Sequence, residues 1–473
     1  MLSTVIRHQS TLLFRERRVA LFTCLILAMI AVAFGNGFAR QVRWSSDRAA
    51  AEKVDAESWN AQGVVNPHYA AHFGRHAFKR VSDLAVLDPG VLDYVGTLVR
   101  LEAHRQHPAG GSPTDADTAL ASFTPFTVAG ALTTFVPLVL VLAGFSTFSG
   151  ESARQLLRQE LASGISPATL LWGRTLALCG GVLLIVLLVG GVAATILLRS
   201  DAPALGFQRL VLILAGYGVY LVTMVFLIMG VSAYCRSARL ALTSLLALWL
   251  VGSLLVPRLA PMIAANQYPV PSLPELNENA ADAFAISLDA GSPKETRSER
   301  VRALALEKYG VKKVEDLPVN LSGFTMEYSE TLSTQAYRRH FAEVQSLYAK
   351  QRGLQPVFSI FSPMIAIKAW SAAWAETDVA SHQRFLSAAE DYRYELVQKL
   401  NRDYRDHPPK VGSDNYETDV GALTATLGNF APSAVRNAEL WQLAWPSGAV
   451  LVLWSLTAAA FASVAVRQLG RRL

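Results

Sequence analysis

The hydrophobic positions of this chain fall into long charge-free blocks, separated by segments in which apolar residues recur at helical spacing. Six blocks approach or exceed the roughly 20 apolar residues that a helix needs to cross a hydrocarbon core. They cover residues 19–38, 123–148, 175–198, 210–234, 240–256 and 441–466. Block 240–256 is the shortest, and Trp441 and Trp445 put the start of the last block at a membrane interface. The pattern predicts an all-α membrane protein with six transmembrane helices. Arg15, Arg17 and Arg18 ahead of the first block give it the look of a secretory signal. It is too long for one, and no small-residue cleavage site follows cleanly, so it reads as a retained anchor.

The blocks divide the chain into five parts. Residues 1–38 form an N-terminal amphipathic segment and the first span, and 39–122 a first outer insertion. Residues 123–257 carry spans two to five around an inner loop at 150–174. A second outer insertion, 258–439, precedes the last span and basic tail at 440–473. Both insertions are expected to be mainly helical. Tyr337, Phe341, Val344 and Tyr348 recur at three- and four-residue steps, as do Phe385, Ala389, Tyr392, Leu396 and Leu400. Pro- and Gly-rich stretches at 107–113 and 268–274 mark loops. Segment 354–374, with Lys368 as its lone charge, fits a re-entrant or interfacial helix and the core of an outer domain equally.

Composition agrees with the pattern: 52% of the 473 residues are hydrophobic and 17% charged, which excludes an ordinary soluble enzyme. With the N-terminus inside, the short inner segments hold twelve arginines against three glutamates. That asymmetry sets orientation and accounts for the net charge of +6 without a nucleic-acid partner. The three cysteines lie in or beside spans, so the outer segments have no disulfide framework.

Candidate chemistry is sparse. The chain has no G-x-x-x-x-G-K-[ST] loop, no H-E-x-x-H and no G-x-S-x-G, so neither nucleotide binding of the P-loop kind nor hydrolase chemistry has an anchor. Leu321-Ser-Gly-Phe324 resembles an ABC signature only superficially and lies on the outer side. No span contains Asp, Glu, Lys, Arg or His, whereas ion-coupled carriers keep such groups near the midplane. Energy must then enter elsewhere, and loop 150–174 is the place for it. Leu157 and Leu161 share a face of a short helix that Gly164 ends, while Ser166 caps the next helix and Pro167 fits its first turn. Two helices joined by a tight turn make a lever, or simply a solvated connection. Arg158 and Glu160, beside the apolar face, are the contacts expected of a lever.

The histidines are the other candidate. Asn66 and Pro67 open a helix on which His68, His72 and His76 follow at four-residue intervals on one face, with His104 and His107 later in the same segment. Imidazoles so spaced can hold zinc or copper. The plainer reading is structural, since no carboxylate or cysteine sits at a matching position.

Segment 150–174 resembles the coupling region of type-2 ABC permeases: an acidic residue, a leucine-arginine stretch, a glycine turn and a short restart before the third span. The six-span layout is similar to that family as well. Stretches 66–76, 101–105, 362–366 and 385–401 resemble its subgroup with large periplasmic insertions. The resemblance implies an export-type permease of the bacterial inner membrane, with cytoplasmic termini and periplasmic insertions. It implies that Glu151, Arg154, Arg158, Glu160, Gly164 and Arg174 couple it to a separate ABC ATPase subunit that holds ATP and Mg, and that the chain is not itself an enzyme. It also implies a homodimer or a paired sister permease. A membrane-anchored envelope sensor or scaffold, whose outer parts bind partners, is the competing expectation.

Overall fold

The computed structural model describes residues 1–111, 126–200, 202–272, 274–276, 278, 279, 282, 294–407 and 416–472. The expected start of the second span at 123–125, the end of the first insertion at 112–122, and loop position Leu273 lie outside the described residues.

Among the described residues five helices are long and apolar enough to cross a membrane: α2 (Arg17–Asn60), α6 (Pro167–Leu197), α7 (Pro203–Tyr234), α8 (Ala238–Gln267) and α15 (Asn437–Arg472). The chain is thus a mainly helical membrane protein. A further apolar helix, α4 (Val128–Gly144), is shorter. At 1.5 Å per residue it extends roughly 25 Å. Its start is set by Thr127, whose hydroxyl accepts from Gly130 N at 3.0 Å. The block expected to be shortest, 240–256, instead belongs to the 30-residue α8, because helix continues past Arg258 to Gln267. Likewise α2 does not stop at residue 38. Beyond Gly37 it meets no glycine or proline until Gly63, so the helix runs on for 44 residues, about 66 Å. Ahead of it, the amphipathic α1 (Leu2–Arg15) lays Val5 against Gly173 near the start of α6.

Helix α7 is the centre of the apolar bundle, with Ile213, Tyr217, Tyr220, Leu221, Val225 and Met229 all buried. Helices α4, α6 and α15 pack around it. Two π-turns, at Ala131–Phe135 in α4 and Val251–Leu255 in α8, interrupt the regular ladder. Wider turns displace carbonyls from their usual partners, and in an apolar bundle those oxygens need donors. Side chains supply them: Tyr220 Oη donates to Thr133 O at 2.8 Å, Trp249 Nε1 to Thr134 O at 2.9 Å, and Ser362 Oγ to Gly252 O.

That last donor comes from segment 354–374, which is a helical hairpin set into the bundle. It consists of α11 (Gln355–Ser359) and α12 (Pro363–Ala375). Trp454, halfway along the apolar part of α15, donates from Nε1 to Ser359 O at 2.9 Å. Trp370 of α12 is wedged between Gly216 of α7 and Gly448 of α15, where a Cβ on either glycine would collide with its ring. Its Nε1 donates to Leu212 O at 2.7 Å. Small residues at helix interfaces commonly admit such close approach.

The described parts of the two insertions expected on the outer side pack together as one lobe, the outer lobe. Helices α9 (Lys294–Tyr309), α10 (Leu321–Gly353), α13 (Val379–Asp406) and α14 (Val420–Thr424) come from the second. The first is less helical than expected. After α3 (Pro67–Phe73) it forms strands β2 (Arg75–Phe78), β3 (Leu98–Glu102) and β4 (Arg105–Gln106) in an antiparallel sheet ordered β2-β3-β4. A short β1 (Val64–Val65) pairs with β5 (Thr418–Asp419) of the second insertion. These strands have two to five residues, too few for a two-residue period to stand out. The α13 stripe of Phe385, Ala389, Leu396 and Leu400 is buried against Trp59, Ala70, Ala77, Val99 and Leu101. The α10 stripe is only partly core: Tyr337 and Val344 are buried, whereas Tyr348 is 39% exposed.

Candidate functional site

At one end of the bundle lies the segment expected to form a lever. Helix α5 (Glu151–Ala162) buries Leu157 and turns sharply at Gly164, whose φ of 86° is the left-handed region that glycine tolerates. Ser166 then caps α6, its hydroxyl accepting from Thr169 N at 3.1 Å, with Pro167 in the first turn. Two hydrogen bonds clamp α5 to neighbouring helices, one between Glu160 and Arg174 of α6 and one from Arg154. Arg174, 3% exposed, donates to Glu160 Oε2 at 2.6 Å and to Thr147 O, just beyond α4, at 2.7 Å. Its guanidinium also lies 4.7 Å from the centre of the Phe148 ring. Arg154 donates to Cys235 O at the end of α7, at 3.2 Å. Glu160 therefore does not face outward beside Arg158, as its position on the helix predicts; the buried Arg174 turns it inward. Glu151 and Arg158 are exposed.

Near the other ends of the apolar helices is a cavity of about 760 Å³. Phe126, Phe358, Ile365 and Leu443 give it an apolar wall, and Asp88, Lys368 and Asp378 give it charge. One oxygen of the buried Asp88 accepts from Gly90 N at 3.0 Å. Burial pushes the Asp88 carboxyl above its ordinary value.

The histidines of the outer lobe are arranged differently from the helical trio. Asn66 caps α3 as expected, accepting from His68 N at 2.8 Å, and His68 and His72 lie one turn apart with Nε2 atoms separated by 3.1 Å. But α3 ends at Phe73, because Gly74 at φ 71° turns the chain into β2. A Cβ at Gly74 would strike Leu101 O at 2.6 Å, so glycine lets β3 come close. His76 consequently leaves the trio and pairs through Nδ1 with Asp55 at 2.9 Å. His104 takes its place. It sits in the two-residue turn between β3 and β4, tied to α3 through Ala103 N, which donates to Ala71 O at 2.9 Å. One ligand atom from each of His68, His72 and His104 lies within 4.8 Å of the others. His107 is not part of the group, since its Nε2 bonds Glu102 at 2.6 Å.

Behind the cluster stands a charge network that the helical stripes do not reveal. Glu330, with no exposed side chain, accepts from His104 N at 2.8 Å and lies 3.2 Å from His104 Nδ1. Arg393 donates to Glu330 at 2.6 Å, to both oxygens of Glu390, to Thr334 at 2.8 Å and to Glu102 O at 3.0 Å. Burial alone would raise the Glu330 carboxyl, but the bonds from His104 and Arg393 outweigh it and hold it near about 2. Burial, then the neighbouring imidazoles of His72 and His104, lowers His68 to about 4, and His72 moves in the same direction.

A family model described as a domain of unknown function (DUF3526) matches residues 277–425, which is roughly a third of the chain. The match includes Glu330, Glu390 and Arg393 but not His68, His72, His104 or α5. No curated protein matches the chain.

Proposed function

We propose that this chain is the membrane-spanning permease subunit of an ATP-driven exporter of the type-2 ABC class, worked by a separate ATPase through α5. One observation carries the reading: an amphipathic helix with an exposed charged face is pinned by Arg174 and Arg154 to the ends of α4, α6 and α7. A push on that face moves helices, because the joints are buried charge-assisted bonds and not a slack loop. Taking α4 as a sixth span puts α5 and both termini on the cytoplasmic side, where the arginine excess belongs, and the outer lobe in the periplasm. The hairpin α11–α12 is then re-entrant. The 760 Å³ cavity, apolar with a few charges, suits an amphipathic cargo. The permease works as a dimer with a second copy or a sister chain on two ATPase subunits.

The test is Arg158→Glu in the assembled complex. Arg158 is exposed and outside the clamp, so the substitution leaves insertion and folding intact. ATP turnover stimulated by the permease is expected to fall several-fold. Unchanged turnover and unchanged ATPase retention would reduce α5 to a connector. A second reading, an envelope sensor or scaffold, draws on the unbroken α2, a rigid rod from the bundle into the outer lobe.

A further inference from the structure

We propose that His68, His72 and His104 form a binding site for one transition-metal cation of the zinc class, leaving a fourth coordination position open to solvent. The site stands independently of the transport reading. Three imidazoles from two elements converge on one point, with ring centroids 4.5, 5.3 and 5.7 Å apart. The Nε2 atoms of His68 and His72 are 3.1 Å apart. Two nitrogens bound tetrahedrally to zinc at its usual bond length lie about 3.3 Å apart, so this pair needs almost no rearrangement. The third ligand atom lies within 4.8 Å, a distance that a small turn of the His104 ring closes.

The surroundings are those of a ligand set. The carboxylate of Glu330 lies 3.2 Å from His104 Nδ1, which fixes the ring and leaves its other nitrogen to donate to a metal. Arg393 holds Glu330 in turn. Among the described residues His68 Nδ1 is buried without a hydrogen-bond partner, and beyond His72 no bond commits that ring. His104 adopts φ 66°, a left-handed backbone in which glycine or asparagine would be the easy choice. That turn holds the imidazole beside the rings of His68 and His72. Neutral nitrogen donors without carboxylate oxygen select zinc, cobalt or copper over magnesium or calcium. His72 is exposed and His68 and His104 half-buried, so the ion can enter and exchange from solvent.

The experiment uses the full chain in detergent, stripped with chelator and titrated with Co²⁺ while visible absorbance is recorded, followed by competition with Zn²⁺. The proposal expects one equivalent of Co²⁺ to give the intense d–d bands of a four-coordinate site and Zn²⁺ to displace it. His72→Gln, on an exposed helix face, and His104→Asn, which suits the left-handed turn, are each expected to weaken binding at least tenfold. His76→Gln and His107→Gln, whose rings are bonded elsewhere, keep wild-type affinity. Absence of stoichiometric binding in the wild type overturns the site. So does binding that His72→Gln and His104→Asn leave unchanged while both elute and melt like the wild type.

Discussion

His68 and His382 are held neutral by burial, each lowered from 6.5 to about 4, with neighbouring imidazoles adding to the effect at His68 and Lys79 at His382. Between those values the unfolded chain takes up protons that the folded lobe refuses, so stability falls as pH drops from 6.5 towards 4. Glu330 extends the loss: its folded value near 2 lies below the ordinary 4.5, so its contribution is complete above 4.5 and disappears as pH falls through 2. Amide exchange in chelator, corrected for intrinsic rate, is therefore expected to show α3 and α13 losing protection between pH 7 and 4.5 while α6 and α7 do not. Protection independent of pH in the outer lobe would contradict this. At this scale the sequence reveals the Asn66 cap and the His68–His72 spacing, because both are local. His104 joins them only through the register of β3 with β4 and the Ala103–Ala71 bond, which spacing along the chain does not encode. Glu330 and Arg393 were missed for a related reason: their pairing crosses from α10 to α13, and each looks like an ordinary surface charge on its own helix.

Among the elements, the hairpin α11–α12 has the most exacting fit. Trp370 fills the space left by Gly216 and Gly448 and meets Trp374 and Trp441 edge-to-face at centroid distances of 5.9 Å each. Gly448→Leu overfills that contact, at a cost of about 1–3 kcal/mol, and is expected to lower the melting temperature of the purified chain. Gly428→Leu would be a poor control because its φ is 64°; Gly191→Leu, with open space around it and ordinary backbone, should change little. Equal melting of the Gly448 and Gly191 variants would show that α12 is not seated as described. The composition of 354–374 could not decide between a re-entrant or interfacial helix and a domain core, since both are apolar. What decides is the partner, and the partners of Trp370, Ser362 and Ser359 are α7, α15 and the π-turn of α8. Helix α5, its glycine turn and the capped start of α6 were legible because caps and turns are short-range devices. The inward turn of Glu160 was not, because Arg174 reaches it from the next helix.

Across the whole molecule, charge-free blocks made the mainly helical membrane architecture plain, while the boundaries between apolar and polar sequence proved poor guides to helix ends. Helices α2 and α8 continue well past them, and α2 carries the bundle's geometry directly into the outer lobe. The central claim of the proposed function is narrower: a separate ATPase works this bundle through α5. The most direct test is affinity purification of the full-length chain from native membranes in mild detergent, with mass spectrometry of what accompanies it. The account predicts a stoichiometric partner carrying a P-loop and ABC signature, retained by the wild type and weakened by Arg158→Glu. Recovery of the chain without any such ATPase, or with only a kinase or envelope protein, would contradict it.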